Sequence, residues 1–361
     1  MKNKFAVCVL CFFILMSLVL SACGKESVLS DNVSEDTVGL TVSYIDVGQG
    51  DATLIECGDK AMLIDAGIYG ERYKVTSYIS QRGIKSLDYC VATHPHSDHI
   101  GGMPDVITSF DVDTLVYPLC ESDSDSWNYV LDAADERGVS YFNPQPGDTF
   151  YLDEARLTVL SPYKNDIYSD LNDYSMVLKL EYGDVSFMFM GDAEAVVEQN
   201  ILADNFDVSA DVLKCGHHGS STSTSKTFLK AVNPAAAVIS CGKDNDYGHP
   251  HQEILDELGK NDIQIFRTDE SSTIVARSDG KTISFMSADT QLGSIAADTG
   301  TYTPETLAEE TVLYVGNKNS KVYHLPDCGS VENMKDKNKV YLESEKDATD
   351  KGYEPCGSCK P

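Results

Sequence analysis

Thr93-His94-Pro95-His96-Ser97-Asp98-His99-Ile100-Gly101-Gly102 decides how this chain is read. Three imidazoles and a carboxylate fall within six residues, directly after the apolar run Leu87-Asp88-Tyr89-Cys90-Val91-Ala92. His94 and His96 are two apart, so an extended strand end aims both at one ion, because alternate residues share a face. Asp98 and His99 then turn away to face a second ion. Gly101 and Gly102 let the backbone bend and approach closely. Imidazole and carboxylate suit zinc, manganese or iron, and spacing does not choose among them. Three of the eight histidines lie in this one turn, a concentration that argues for chemistry rather than chance.

Before the cluster, LTVSYIDVG, DATLIECG and AMLIDAG are short β-branched runs separated by glycine turns, as hairpins require. VTSYISQRGI predicts a helix and LDYCVAT the buried strand that feeds the histidines. After the cluster, MPDVITSF and SWNYVLDAADERG predict helices, the second ending at Gly138. RLTVLSP, SMVLKLEYG, VSFMFMGD and DVLKCGHH predict strands, and AEAVVEQNILAD a helix between the last two. Strands that pair early, with helices interspersed later, indicate a layered α/β fold with sheets covered by helices.

The whole chain has 361 residues, 42% of them apolar and 24% charged, as in an ordinary globular protein. That length suggests more than one domain. Its net charge of −29 repels phosphate backbones at long range, which excludes a simple electrostatic nucleic-acid binder. Chemistry on a nucleic acid would have to rely on metals and local contacts.

Residues 1–22 read as a secretory leader: Lys2 and Lys4, then the uncharged apolar run 5–20, then small residues before Cys23. Leu20-Ser21-Ala22-Cys23 resembles a bacterial lipobox, which implies cleavage before Cys23 and lipid on its thiol and new amino end. The expected location is the extracellular face of the bacterial membrane, with residues 23–39 as a flexible acidic tether. Cys57, Cys90, Cys120, Cys215 and Cys241 are odd in number and irregularly spaced, which favours free thiols over a disulfide framework.

The histidine cluster is one of a series of runs that occur in order. The others are Tyr44-Ile45-Asp46-Val47-Gly48-Gln49-Gly50-Asp51, Leu63-Ile64-Asp65-Ala66-Gly67, Asn172-Asp173-Tyr174-Ser175, Met190-Gly191-Asp192, Lys214-Cys215-Gly216-His217-His218-Gly219-Ser220 and Tyr247-Gly248-His249-Pro250. Together they resemble the metallo-β-lactamase superfamily, whose hallmark is His-x-His-x-Asp-His, and more narrowly the extracellular domain of that type in the ComEC competence-protein family. The resemblance implies an αββα sandwich over residues 40–286 with two divalent ions, zinc or manganese, at one edge. It implies that His94 and His96 bind the first ion, Asp98 and His99 the second, and that Asp192 bridges them. His217 and His218 are adjacent, so on an extended segment they point to opposite sides and only one can be a ligand. His217 is favoured, which leaves His218 to hydrogen-bond substrate or brace the site. Asp46, Gln49 and Asp65 read as residues that orient the ligands or shape turns. The sequence departs from many superfamily hydrolases in having no histidine between His99 and His217. Asn172 and Ser175 occupy that stretch, so the first ion is under-coordinated, more labile or completed by water.

Residues 287–310 are rich in Thr, Ala, Gly and Asp without periodicity and read as a linker. Residues 312–361 hold eight lysines and eight acids, so the negative excess belongs to the chain before them. Within the segment 311–361, His324, Cys328, Cys356 and Cys359 have the spacing of a closed tetrahedral zinc site; a disulfide between Cys356 and Cys359 is the alternative. The segment resembles the Ada metal-binding module through Val340-Tyr341-Leu342 and Gly352-Tyr353-Glu354-Pro355-Cys356-Gly357-Ser358-Cys359. Where that family has a methyl-accepting cysteine this chain has His324, so repair chemistry is not implied. A small module folded around one structural zinc, separate from the first domain, is the expectation.

The functional expectation is a membrane-tethered binuclear hydrolase of phosphodiester bonds. Two ions activate water and stabilise attacking and leaving oxygens together. Asp98, His218 and His249 are the candidate catalytic side chains, His249 as a general acid or phosphate donor. The ComEC resemblance implies single-stranded DNA as substrate. Teichoic-acid phosphodiesters, a lactonase or lactamase activity, and a non-catalytic binding lipoprotein are the alternatives.

Overall fold

The computed structural model describes residues 39–120, 122–288, 290–298 and 314–359, except 326, 327, 333, 336, 337 and 343. The leader, Cys23 and the tether up to residue 38 lie outside the described residues.

Alternation builds the first strands. In β1 (Leu40–Tyr44), Leu40, Val42 and Tyr44 share one buried face. β2 (Thr53–Cys57) and β3 (Lys60–Ile64) extend an antiparallel ladder from β1. β4 (Ser86–Val91), β5 (Asp111–Val116) and β6 (Ser140–Phe142) then add in parallel, which requires crossovers. Helices 72–81, 103–109 and 125–137 supply them. The last starts at a Ser124 cap that accepts from the Trp127 N–H and stops at Gly138, whose φ of 68° is left-handed.

The second sheet has the same construction. β7 (Thr149–Leu152), β8 (Ala155–Ser161), β9 (Val177–Tyr182) and β10 (Val185–Phe189) are antiparallel. β11 (Val212–Lys214), β12 (Ala236–Ile239) and β13 (Gln264–Arg267) continue it in parallel. β14 (Ile274–Ser278), β15 (Thr282–Ser287) and β16 (Thr290–Ala296) return to the first sheet beside β1. Among the described residues the orders are β16-β15-β14-β1-β2-β3-β4-β5-β6 and β13-β12-β11-β10-β9-β8-β7.

One core joins the inner faces of the sheets, including Val42, Tyr44 and Met62 from the first and Leu157, Leu178 and Phe187 from the second. A second core seats Val75, Ile79, Val106 and Val130 of the helices on the outer face of the first sheet. A third seats Val197, Ile201, Phe228 and Leu258 on the outer face of the second. The layers are therefore α, β, β, α.

Two expectations change. Residues 287–310 are not wholly a linker, because 290–296 form edge strand β16 with Ile295 buried in the inter-sheet core. The first domain thus runs past 286. Strands β6 and β7 were not foreseen, since three or four residues are too few to display a period. The C-terminal module is a small sheet of β17 (Tyr314–Asn317), β18 (Val322–His324), β19 (Lys339–Leu342) and β20 (Glu354–Pro355) in the order β19-β17-β18-β20. Tyr314, Tyr323, Leu342, Ala348 and Tyr353 make its core.

Candidate active site

Asp65 follows β3, the histidine cluster follows β4, Asp192 follows β10, His217 and His218 follow β11, and His249 follows β12. All therefore sit beyond strand carboxyl ends, the edge at which open α/β sheets bind ligands. Close backbone approach is built in: Asp51 N–H donates to the Asp98 carbonyl at 3.2 Å, and a Cβ on Gly50 would lie 2.2 Å from that same oxygen.

Asp192 is the hub. Its Oδ2 lies 3.2 Å from His99 Nε2, 3.5 Å from His218 Nε2, and 3.9 Å from Nε2 of both His94 and His217. His94 Nε2 and His96 Nδ1 converge at 3.0 Å, and Asp98 Oδ2 is 3.3 Å from His218 Nε2. Asp192 does not cap the following helix, which starts at Ala195 behind Glu194.

Behind the histidines a set of acceptors holds the opposite ring nitrogens. Asp65 takes His99 Nδ1 at 2.8 Å. Asp51 and the Ser240 carbonyl approach His218 Nδ1 at 3.2 and 3.1 Å, and Glu194 approaches His217 Nδ1 at 3.2 Å. Thr93 donates its hydroxyl to Asp65 at 2.7 Å and so accepts from His94 Nδ1 at 3.1 Å. Each contact fixes the Nδ1–H tautomer and leaves the Nε2 lone pair for a cation.

Electrostatics agree with geometry. Burial opposes charge on Asp192, yet His218, His99 and His217 outweigh it and hold the carboxyl well below the usual range. Burial likewise opposes charge on His218, but Asp192 and Asp51 raise it to about 10. Nε2 of His99 and His218 and Oδ1 of Asp192 are sealed from solvent without a hydrogen bond. Leaving such atoms bare costs about 1–3 kcal/mol each. Divalent ions would displace the protons that His99 and His218 hold without them and take up the freed lone pairs, and the donor set of imidazoles and carboxylates suits them.

The expected opposition of His217 and His218 does not hold. Neither lies on an extended segment: both are left-handed, with φ of 47° and 54°, and that turn brings both Nε2 atoms to Asp192. His218 is the fully buried member and the one facing Asp98, so the preference for His217 is reversed. His217, partly exposed, leans on Glu194 and Thr222.

His249 stands at the rim, its ring 5.5 Å from that of His217 and 6.2 Å from that of His218. Its Nδ1 is 3.5 Å from Gln49 Nε2, and Gln49 Oε1 accepts from the Gly242 N–H. Burial first, then the neighbouring imidazoles, lower its pKa to about 3. Ser175, noted only for not being histidine, accepts from the Asp192 N–H at 2.9 Å and lies 3.2 Å from His94 Nδ1. Asp46 accepts from the Gly48 N–H and shapes the turn.

Sequence reading quoted Asp51 and Lys214 within the matched runs without giving them a role, and missed Glu194. Ligand-type atoms of Asp51, His99, Asp192 and His218 lie within 4.8 Å of one another. Asp51 nonetheless faces Nδ1 of His218, not Nε2, and its Oδ2 pairs with Lys214 Nζ at 2.8 Å. It orients the ligand rather than joining it. Lys214 left a signal: a lysine inside Val-Leu-Lys-Cys must find a buried partner.

In the C-terminal module, ligand atoms of His324, Cys328, Cys356 and Cys359 lie within 4.8 Å of one another. All the described cysteines are free thiols. Backbone N–H groups of Cys359 and Ser358 draw the Cys356 thiol down to about 7, toward the thiolate that a metal binds. The module is not isolated from the first domain. Its Lys321 and Tyr341 line one cavity with Thr222 and His251 of that domain.

A family model described as "Metallo-beta-lactamase superfamily" matches residues 45–243, and one described as "Metal binding domain of Ada" matches residues 306–361. The chain is 35% identical to ComE operon protein 3 of Bacillus subtilis (strain 168) over 255 residues, 65% of this chain and 33% of that one. It is 29% identical over 263 residues to Recombination protein 2 of Haemophilus influenzae, covering 72% of this chain and 29% of the relative. With Competence protein ComA of Neisseria gonorrhoeae it shares 27% identity over 262 residues, 71% of this chain and 34% of that protein. It spans about a third of the length of these relatives.

Proposed function

This chain belongs to the metallo-beta-lactamase superfamily, and from that premise we propose that its metal-dependent hydrolysis is directed at phosphodiester bonds, with single-stranded DNA as substrate. The observation that carries the reading is Asp192 Oδ2, within 3.9 Å of four imidazole nitrogens and one residue-pair away from Asp98. His94 and His96 would hold one divalent ion, Asp98, His99 and His218 another, and Asp192 both. When bound, such ions polarise a phosphoryl oxygen and lower the pKa of water.

The chain's own residues do the rest. Asp65, Asp51 and Thr93 fix the imidazoles so that nothing need reorganise during turnover. His249 and Gln49, at the rim, are placed to hydrogen-bond phosphoryl oxygens. The DNA substrate is supported by relatives that carry competence and recombination in their names. Lipid on Cys23 would hold the enzyme at the outer face of the bacterial membrane, which the leader and its lipobox-like end support.

The test is metal analysis of the purified protein, followed by turnover of bis-p-nitrophenyl phosphate, single-stranded DNA and nitrocefin with Mn²⁺ and Zn²⁺. The first two should be cleaved and nitrocefin spared. Cleavage of nitrocefin alone overturns the phosphodiesterase reading.

A further inference from the structure

Residues 312–361 balance their charges overall, but the module does not place them evenly. A cavity of about 770 Å³ is lined by the module on one side and by the loop 221–225 and the helix 252–260 of the first domain on the other. The module lines it with Lys318, Lys321 and Lys351 beside Tyr341 and Tyr353, and with no described acid. On the facing wall Lys226 and Lys260 stand against Glu253, Asp256 and Glu257, so the cationic excess comes from the module. Lys260 is paired with Glu257 at 3.4 Å and Lys351 with Asp347 at 3.2 Å. Lys318 and Lys321 are exposed, and neither forms an ion pair among the described residues. Lys321 Nζ instead lies 4.4 Å over the ring of Tyr353 and donates to its hydroxyl at 3.4 Å. A ring holds the ammonium in place without cancelling its charge.

The cavity adjoins the rim of the metal centre. Thr222, in its wall, reaches His217 Nδ1 at 3.2 Å. Ser221 N–H donates at 2.9 Å to Nδ1 of His251, another wall residue, whose ring lies 4.9 Å from that of His249. Tyr247, 68% exposed, stacks on His249 with ring centroids 5.6 Å apart and offers an open ring face at the same rim. Net charge repels a phosphate chain at a distance, but at about 0.1 M salt that field is screened beyond about 10 Å. Close to the surface the local cations decide.

We propose that this cavity is the track on which a single-stranded nucleic acid leaves the metal centre, with its phosphates on Lys318 and Lys321 of the module and a base on Tyr247 at the rim. Cations along the backbone and an aromatic face for a base are the two elements by which proteins hold single strands without regard to sequence. The module then serves as a strand clamp, and its fold holds the lysines where the first domain offers mostly acids. The substrate class rests on the phosphodiesterase reading, whereas strand binding needs no turnover. The competing role for the lysines is to hold the module against Glu253, Asp256 and Glu257, and the two roles respond oppositely to loss of an acid.

The experiment uses the full chain with metal as wild type, the Lys318→Gln/Lys321→Gln pair, Glu253→Gln and Tyr247→Ala. Affinity for a fluorescent phosphorothioate single strand is measured by anisotropy across a salt series, beside kcat/KM on single-stranded DNA and on bis-p-nitrophenyl phosphate. Each lost phosphate contact lowers the salt slope by about 0.7, so the lysine pair should lower it by about 1.4, which at 0.1 M salt is roughly 25-fold in affinity. Its kcat/KM should fall far more on the strand than on bis-p-nitrophenyl phosphate, which has no chain to lay in the cavity. Glu253→Gln should tighten strand binding, and Tyr247→Ala should weaken it by roughly fivefold or more. An unchanged slope in the lysine pair, or equal losses on both substrates, overturns the proposal. Should the lysine pair shed the module's zinc, Glu253→Gln must still tighten the strand, and failure there sinks it. A glycerol-phosphate polymer that competes equally while Tyr247→Ala is silent overturns the nucleic-acid assignment. If wild type binds the strand as stated but cleaves no phosphodiester, the hydrolytic reading fails and the track stands; if it cleaves bis-p-nitrophenyl phosphate but binds no strand, the track alone falls.

Discussion

Asp192→Asn removes one negative charge and almost no volume from the point where four imidazole nitrogens lie within 3.9 Å. At about 4 Å and an effective dielectric of about 20, one pair of unit charges is worth about 4 kcal/mol. That is roughly 10³-fold in a dissociation constant. A carboxylate shared by two cations loses on both, so each should bind roughly that much more weakly, and turnover at fixed metal should fall by 10³-fold or more, roughly. The helix that follows should be indifferent, because it begins at Ala195 and Asp192 caps nothing in it. The assay is chelator stripping, back-titration with Mn²⁺ or Zn²⁺, and steady-state kinetics, with circular dichroism confirming the fold. Asp98→Asn and His94→Ala are the contrasts, each expected to weaken one ion chiefly. An Asp192→Asn protein with two ions at wild-type affinity and near-normal turnover would refute the bridging role.

His218→Ala should cost one bound ion, since this ring is the buried one facing Asp98 and Asp192, while His217→Ala should retain both; metal stoichiometry decides, and the reverse pattern restores the sequence-based preference. Asp51→Asn strands Lys214 as a buried unpaired charge and should cost about 3–5 kcal/mol, read by denaturant unfolding, with Lys214→Met restoring much of it. Lys214 and His218 overcome burial to depress Asp51 to about 2, below its ordinary value near 3.9 in an unfolded chain. Its stabilising contribution is therefore present above about pH 4 and lost as pH falls toward 2. Cys356→Ser should release the module's zinc and unfold the module, visible as lost dispersion in the spectrum of residues 314–359. Cys23→Ala should free the protein from membranes or leave an unprocessed precursor; unchanged partitioning and mobility contradict lipid anchoring.

How much of this site could be read from the sequence depends on how far apart its partners lie along the chain. His94, His96, Asp98 and His99 announce themselves because their spacing is local, and the strand before them has an unmistakable apolar run. The layer architecture was legible for the same reason: strand and helix periods are local. Contacts made by αL backbone are not. Nothing in Gly-His-His-Gly says that two successive residues will take φ near 50°, and the period-2 rule that applies to strands assigned them wrongly. Likewise, a stretch rich in Thr, Ala and Gly separates the module in sequence without separating it in space, because Tyr341 lines one cavity with Thr222 and His251 of the first domain.

The supports behind the ligands follow the same gradient, and they explain why so many acids gather at one sheet edge. Thr93 adjoins His94, but Asp65 and His99 are 34 apart and Glu194 and His217 are 23 apart. Each support comes from a different strand end and takes a different Nδ1, so the Nε2 atoms are left to converge on Asp192. A carboxylate behind an imidazole also raises its basicity, which increases the negative potential a cation meets on arrival. The acidity that repels a nucleic acid at long range is thus in part the source of the centre's pull on divalent ions. On the proposed phosphodiesterase reading, ions held there would neutralise those carboxylates locally, and the field at the site mouth would accept a phosphodiester rather than reject it. Metal should therefore tighten binding of an uncleaved phosphorothioate strand as well as enable cleavage. An affinity for that strand unaffected by stripping the metal would show that the acids serve only to hold the ligands.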